Sequence, residues 1–81
     1  MTRVTLYGKP GCHLCDEGRA AVAAARARRS FELEEVDISL NARLNRLFGE
    51  RIPVVAIDGE PVLELRFGAR ELIGRLDRVG A

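Results

Sequence analysis

Hydrophobic and polar positions along this chain change period several times, and each change marks a predicted element. Residues 3–7 alternate, with Val4 and Leu6 interleaved by Thr5 and Tyr7, the two-residue period of a strand. Gly8-Lys9-Pro10-Gly11 breaks that pattern with two glycines and a proline, as a loop does. From Cys12 to about Arg29 the chain is alanine-rich, with acids early (Asp16, Glu17) and arginines late, which suits both ends of a helix dipole. Leu14, Ala21, Val22 and Ala25 are its expected inner face. A second strand is predicted over 31–36. After Asp37-Ile38-Ser39, the residues Leu40, Leu44, Leu47 and Phe48 recur at helical spacing as one apolar stripe, with Gly49 placed to cap its end. A third strand follows Pro53 over 54–57, and Asp58-Gly59 is a hairpin signal. The fourth strand, over 62–67, is expected to set Leu63, Leu65 and Phe67 on one face. A last helix over 69–79 carries Leu72, Ile73, Leu76 and Val79 on one side.

The order is β-α-β-α-β-β-α, an α/β chain. The first βαβ unit requires a crossover, so strands one and two should be parallel. The tight Asp58-Gly59 turn makes strands three and four antiparallel. A mixed four-stranded sheet flanked by three helices is expected, as one domain over residues 1–81.

Composition narrows the function classes. Thirteen basic residues against twelve acidic ones give a net charge of +1, so there is no basic nucleic-acid face. Tryptophan is absent and aromatics are 5%, too few for a base-stacking platform. No run approaches the roughly 20 apolar residues that span a bilayer. The first hydrophobic run reads as a strand and not as a secretory segment. The protein is expected to be cytoplasmic and monomeric. Two closely spaced cysteines in a reducing compartment point to redox or metal chemistry and not to a structural staple.

Those cysteines, Cys12-His13-Leu14-Cys15, fall where the first strand hands over to the first helix. The first N–H groups of a helix lack intrahelical partners, and the dipole adds positive charge there. A sulfur at that end is favoured as the thiolate, the nucleophilic form. Residues three apart share a helix face, so Cys15 is placed to resolve a mixed disulfide formed on Cys12. Cys12 is the expected attacker and Cys15 the expected resolver. A closed zinc site needs four ligands, and this region offers Cys12, Cys15 and His13, the only histidine. A dimer, or an iron–sulfur cluster bridged to outside thiols, would have to supply the rest. No metal site is therefore assigned, and the alternative to thiol exchange is a binding module, or a metal or iron–sulfur carrier that uses the CxxC as ligands.

Pro53 opens a strand, where its missing N–H is tolerated. With a CxxC in this element order, the Ile52–Pro53 bond is expected to be cis, leaving the Ile52 backbone to pair with an extended substrate. Lys9 stands three residues before Cys12, either steadying a thiolate, attracting a substrate carboxylate, or simply exposed. Arg51 has the same choice beside Pro53. Tyr7 either walls the site or packs within the sheet, and His13 either tunes the pair or lies exposed.

The motifs Leu6-Tyr7-Gly8-Lys9-Pro10-Gly11-Cys12-His13-Leu14-Cys15-Asp16-Glu17, Glu35-Val36-Asp37-Ile38, Arg51-Ile52-Pro53-Val54-Val55 and Asp58-Gly59 resemble the glutaredoxins, and more narrowly a compact bacterial glutaredoxin-like family of unassigned function. The resemblance implies a thioredoxin fold and reversible disulfide exchange, with Cys12 as nucleophile, Cys15 as resolver and Pro53 as the cis-proline. It implies no tightly bound cofactor. Glutathione is implied as a thiol co-substrate, held by Lys9, Arg51, Ile52 and Pro53, and the partner is a disulfide-containing protein or glutathione itself. Three departures stand out: His-Leu between the cysteines where glutaredoxins carry Pro-Tyr, Arg51 where they carry Thr, and Phe67-Gly68-Ala69-Arg70-Glu71 where they carry a Gly-Gly segment.

Overall fold

The computed structural model describes residues 1–79. The single domain expected from the sequence extends to residue 81, and residues 80–81 lie outside the described range. The elements run β1 (Arg3–Gly8), α1 (His13–Arg26), β2 (Glu32–Asp37), a 3-10 turn (Ile38–Leu40), α2 (Ala42–Phe48), β3 (Val54–Ile57), β4 (Glu60–Glu64) and α3 (Ala69–Val79). The sheet order is β2-β1-β3-β4. β1 and β2 are parallel, and the β1–β3 and β3–β4 pairs are antiparallel. This is the mixed four-stranded sheet with three helices that the pattern predicted.

Strand position explains strand composition. β3 is central, and all four of its residues, Val-Val-Ala-Ile, are buried. β2 is an edge, and Glu32, Glu34 and Glu35 keep it charged against further pairing. The sheet's two faces build two cores. Val4, Leu6, Val55 and Ile57 pack with Val22 and Ala25 of α1 and Leu72 and Leu76 of α3. On the other face Val54 packs with Ile38, Phe48, Ile52 and Cys15, and Tyr7, Cys12 and Leu44 pack against them. The catalytic candidates thus sit at the rim of the smaller core. Asp58 and Gly59 both have positive φ, 49° and 87°, the backbone of a tight hairpin turn.

The structure corrects several expectations. α1 ends at Arg26 and not near Arg29, because Arg28 and Arg29 tighten into a turn onto the Ala25 carbonyl. Arg29 then reaches both carboxylate oxygens of Asp77 on α3, at 2.8 and 3.1 Å. The stripe Leu40-Leu44-Leu47-Phe48 is broken. Asn41 caps α2 with its side chain on the Leu44 N–H, which leaves Leu40 outside the helix and exposed. Leu47 precedes Phe48 by one residue, a rotation of about 100°, and is exposed too. On α3, Leu72 and Leu76 are buried but Val79 is not. β4 stops at Glu64, so Leu65 does not join Leu63 and Phe67 on one face. Leu65 turns to φ 64° and its N–H bends back to the Pro53 carbonyl.

Candidate active site

Cys12 is the N-cap of α1, with extended backbone, and its Sγ accepts from the Cys15 N–H at 3.3 Å. The carbonyl of Cys12 starts the helix by accepting from the Asp16 N–H. A sulfur therefore occupies the place where a serine or aspartate oxygen commonly caps a helix. The cap is a thiol facing helix N–H groups, and Cys12 keeps partial solvent access.

Cys15 is different. It lies one turn further on, 1% exposed, against the backbone of Gly8, where a Cβ would stand 3.1 Å from the Cys15 Sγ. Burial pushes its thiol up to about 11, helped by the hydrogen bond and charge of Cys12. Backbone hydrogen bonding from Lys9 and the Arg19 guanidinium partly oppose that rise. Both cysteines are free thiols. One accessible sulfur at the helix start and one buried sulfur that holds its proton form an unequal pair.

Pro53 packs against α1. The Ile52–Pro53 bond is cis, as expected. Pro53 is fully buried, and its ring lies against Gly18 of α1 so closely that a Cβ there would meet Pro53 Cγ at 2.8 Å and Phe67 Cζ at 3.2 Å. Gly18 is a packing residue that periodicity alone does not single out. Its signal was a lone glycine inside an alanine-rich helix, which costs about 1 kcal/mol unless packing requires it. The expectation that the Ile52 backbone stays open is corrected in part. Its N–H donates to the Phe48 carbonyl at 3.1 Å, so only its carbonyl is left for such pairing.

The two predicted cations are not brought together. Lys9 is exposed and lines a cleft of about 310 Å³ with Cys15, Arg19, Glu35 and Asp37. Arg51 borders a different cleft, pairs with Glu64 at 2.7 Å and lies 5.5 Å over the Phe48 ring. Tyr7 also packs on Phe48, with ring centroids 4.7 Å apart, as a sheet residue does. His13 is exposed and pairs with Glu17. Among the described residues no three His, Cys, Asp or Glu side chains gather as a metal site would require. Nor is any helix among them long and apolar enough to cross a membrane.

Residues 3–77 match the glutaredoxin-like domain. The chain belongs to the glutaredoxin-like family. Protein XcR50 from X. campestris is similar over 93% of this chain and 96% of its own, at 36% identity and a TM-score of 0.80. Protein Ne2328 from Nitrosomonas europaea is similar over 93% and 89%, at 31% identity and a TM-score of 0.77. Thioredoxin 1 from Thermosipho africanus shares the fold at 15% identity, with a TM-score of 0.69 over 95% of this chain and 92% of that one. No curated protein matches the sequence. The glutaredoxin-like chain therefore has the thioredoxin fold.

Proposed function

We propose that this glutaredoxin-like protein is a thiol–disulfide oxidoreductase using Cys12 and Cys15. The observation that carries the reading is their inequality: a partly accessible Sγ at the N-cap of α1, and a buried thiol on the next turn whose proton is firmly held. The Cys12 thiolate attacks one sulfur of a substrate disulfide. A Cys12–substrate disulfide forms and the substrate's other sulfur leaves as thiolate. Cys15 then gives up its proton to solvent and attacks the Cys12 Sγ. The second substrate thiolate leaves, and the protein ends as the Cys12–Cys15 disulfide with the substrate reduced by two electrons. Two equivalents of an external thiol, of which glutathione is the co-substrate proposed, return the pair to dithiol. The high proton affinity of Cys15 keeps it from competing as first attacker. Pro53 and the Ile52 carbonyl would face the bound chain, while Lys9 would face an anionic group near Cys15. The reaction is that of a monomer in a reducing compartment, the cytoplasm.

The test is trapping. Cys15→Ser should accumulate a mixed disulfide on Cys12 with a protein disulfide or glutathione, read by mass spectrometry. Cys12→Ser should accumulate none. Adducts on Cys12→Ser with none on Cys15→Ser would reverse the roles, and no adduct on either variant would reject exchange.

A further inference from the structure

Cys15 borders a cleft that Cys12 does not share. Gly8, Lys9, Cys15, Arg19, Glu35 and Asp37 are among its walls, its volume is about 310 Å³, and neither Cys12 nor Pro53 lines it. The cleft reaches the sulfur side of Cys15, because a Cβ on Gly8 would stand 3.1 Å from the Cys15 Sγ. The glycines with positive φ are Gly11 and Gly59, so backbone conformation does not call for a glycine at the end of β1. Room beside the sulfur does.

Arg19 stands one turn after Cys15 on α1, on the same helix face. Two carboxylates fix it there, Glu35 of β2 at 2.9 Å and Asp16 at 3.0 Å. Its guanidinium and the Lys9 backbone N–H both pull the Cys15 thiol down, against the larger rise from burial. The charge of Cys12, which also raises Cys15, is gone once Cys12 is bonded to substrate. Cys15 must still lose its proton while the substrate sits on Cys12. The nearby carboxylates are poorly placed to take it. Glu35 and Asp16 are held by Arg19, and Asp37 accepts from the N–H and hydroxyl of Ser39. Lys9 is a cation, and Tyr7, beside the same small core, is stacked on Phe48. Water is the acceptor left, and a cleft of this volume admits it.

We propose that this cleft is the proton exit of Cys15, and that Arg19 is the positioning residue that steadies the Cys15 thiolate as it attacks the Cys12–substrate disulfide. The proton passes to water in the cleft, the Cys15 sulfur bonds to the Cys12 Sγ, and the substrate thiolate leaves. This rests on the thiol-exchange reading and adds to it the path of the proton in the second step.

The test uses a symmetric aromatic disulfide whose thiolate absorbs light, so that each step releases one thiolate as its own phase. In parallel, the Cys15 titration is read from its Cβ carbon signal by NMR in chains carrying Cys12→Ser, where Cys15 is the one cysteine. Arg19→Gln should raise that titration by about one pH unit, the low end of what a nearby opposite charge supplies. It should slow the second phase at neutral pH about threefold, since roughly tenfold less thiolate is each about threefold more nucleophilic. Arg19→Lys keeps the charge and should restore both. Glu35→Gln should not slow the second phase, whereas a carboxylate acting as base would. Arg19 is half-exposed, so its ion pairs contribute little to folding. A Cys15 titration unmoved by Arg19→Gln, no restoration by Arg19→Lys, or a second phase slowed by Glu35→Gln overturns the inference and leaves thiol exchange standing. A wild type without the first phase overturns both.

Discussion

Replacing Gly18 by alanine should destabilise this protein, although helix propensity argues for the opposite. Alanine is favoured over glycine inside a helix by about 1 kcal/mol. At Gly18, however, the added methyl would stand 2.8 Å from Pro53 Cγ, 3.0 Å from Pro53 Cβ and 3.2 Å from Phe67 Cζ. Carbon pairs rest at about 3.5–4.0 Å. The nearest atoms belong to a closed ring in a fully buried residue, which has no rotamer to escape into. Overpacking of this kind costs about 1–3 kcal/mol. Less the propensity gain, the net loss is about 1 kcal/mol, a fall in Tm of roughly 4–8 °C for a domain of this size. Gly74 on α3 is the control, since a Cβ there meets nothing within 4 Å. Gly74→Ala should gain the propensity term alone and raise Tm by a similar amount. Thermal unfolding followed by circular dichroism reads both. If Gly18→Ala also raised Tm, the close packing of α1 on the cis-proline turn would be refuted.

Three further outcomes follow from the charged and titrating groups. Iodoacetamide at neutral pH should label Cys12 and spare Cys15, whose thiol is held up to about 11, and peptide mass mapping that found equal labelling would contradict its burial. Because that value is raised on folding, the associated stability is complete below the ordinary thiol value of 9.0 and fades as pH climbs toward about 11, so Cys15→Ala should flatten the alkaline limb of a Tm–pH curve. Asp77 is opposite in sign. The Arg29 guanidinium holds its carboxyl below the usual range, so its contribution is present at neutral pH and is lost as pH falls through the acid range. Asp77→Asn should lower Tm slightly in low salt and by less in high salt, since the pair is exposed and screened. An equal loss in both salts would speak against an ion pair.

Periodicity and turn chemistry were enough for the element order, the parallel crossover, the Asp58-Gly59 hairpin and the place of the cysteines at a strand-to-helix junction. These are local properties: a two-residue or a 3.6-residue repeat, a glycine that permits positive φ, a cap residue before a helix. Where α1 and β4 stop is not local. Arg29 leaves the helix line to meet Asp77, forty-eight residues on, and Leu65 leaves the strand line to reach the carbonyls of Arg51 and Pro53. The leucine stripe failed for a nearer reason, because the Asn41 cap restarts the helix and shifts which side of it faces the sheet.

The sequence by itself determined that a CxxC begins a helix, that a proline opens a strand, and that no strong charge biases the whole surface. Only the tertiary structure decided what these do to one another. It buries Cys15 against Gly8, which raises the proton affinity of that thiol, and leaves Cys12 at the cap with solvent access. It presses Pro53 onto Gly18, neutralises Arg51 with Glu64 and separates it from Lys9. Solvent access, desolvation and charge pairing depend on which distant residues meet, and that information lies in the packing and not in the spacing along the chain.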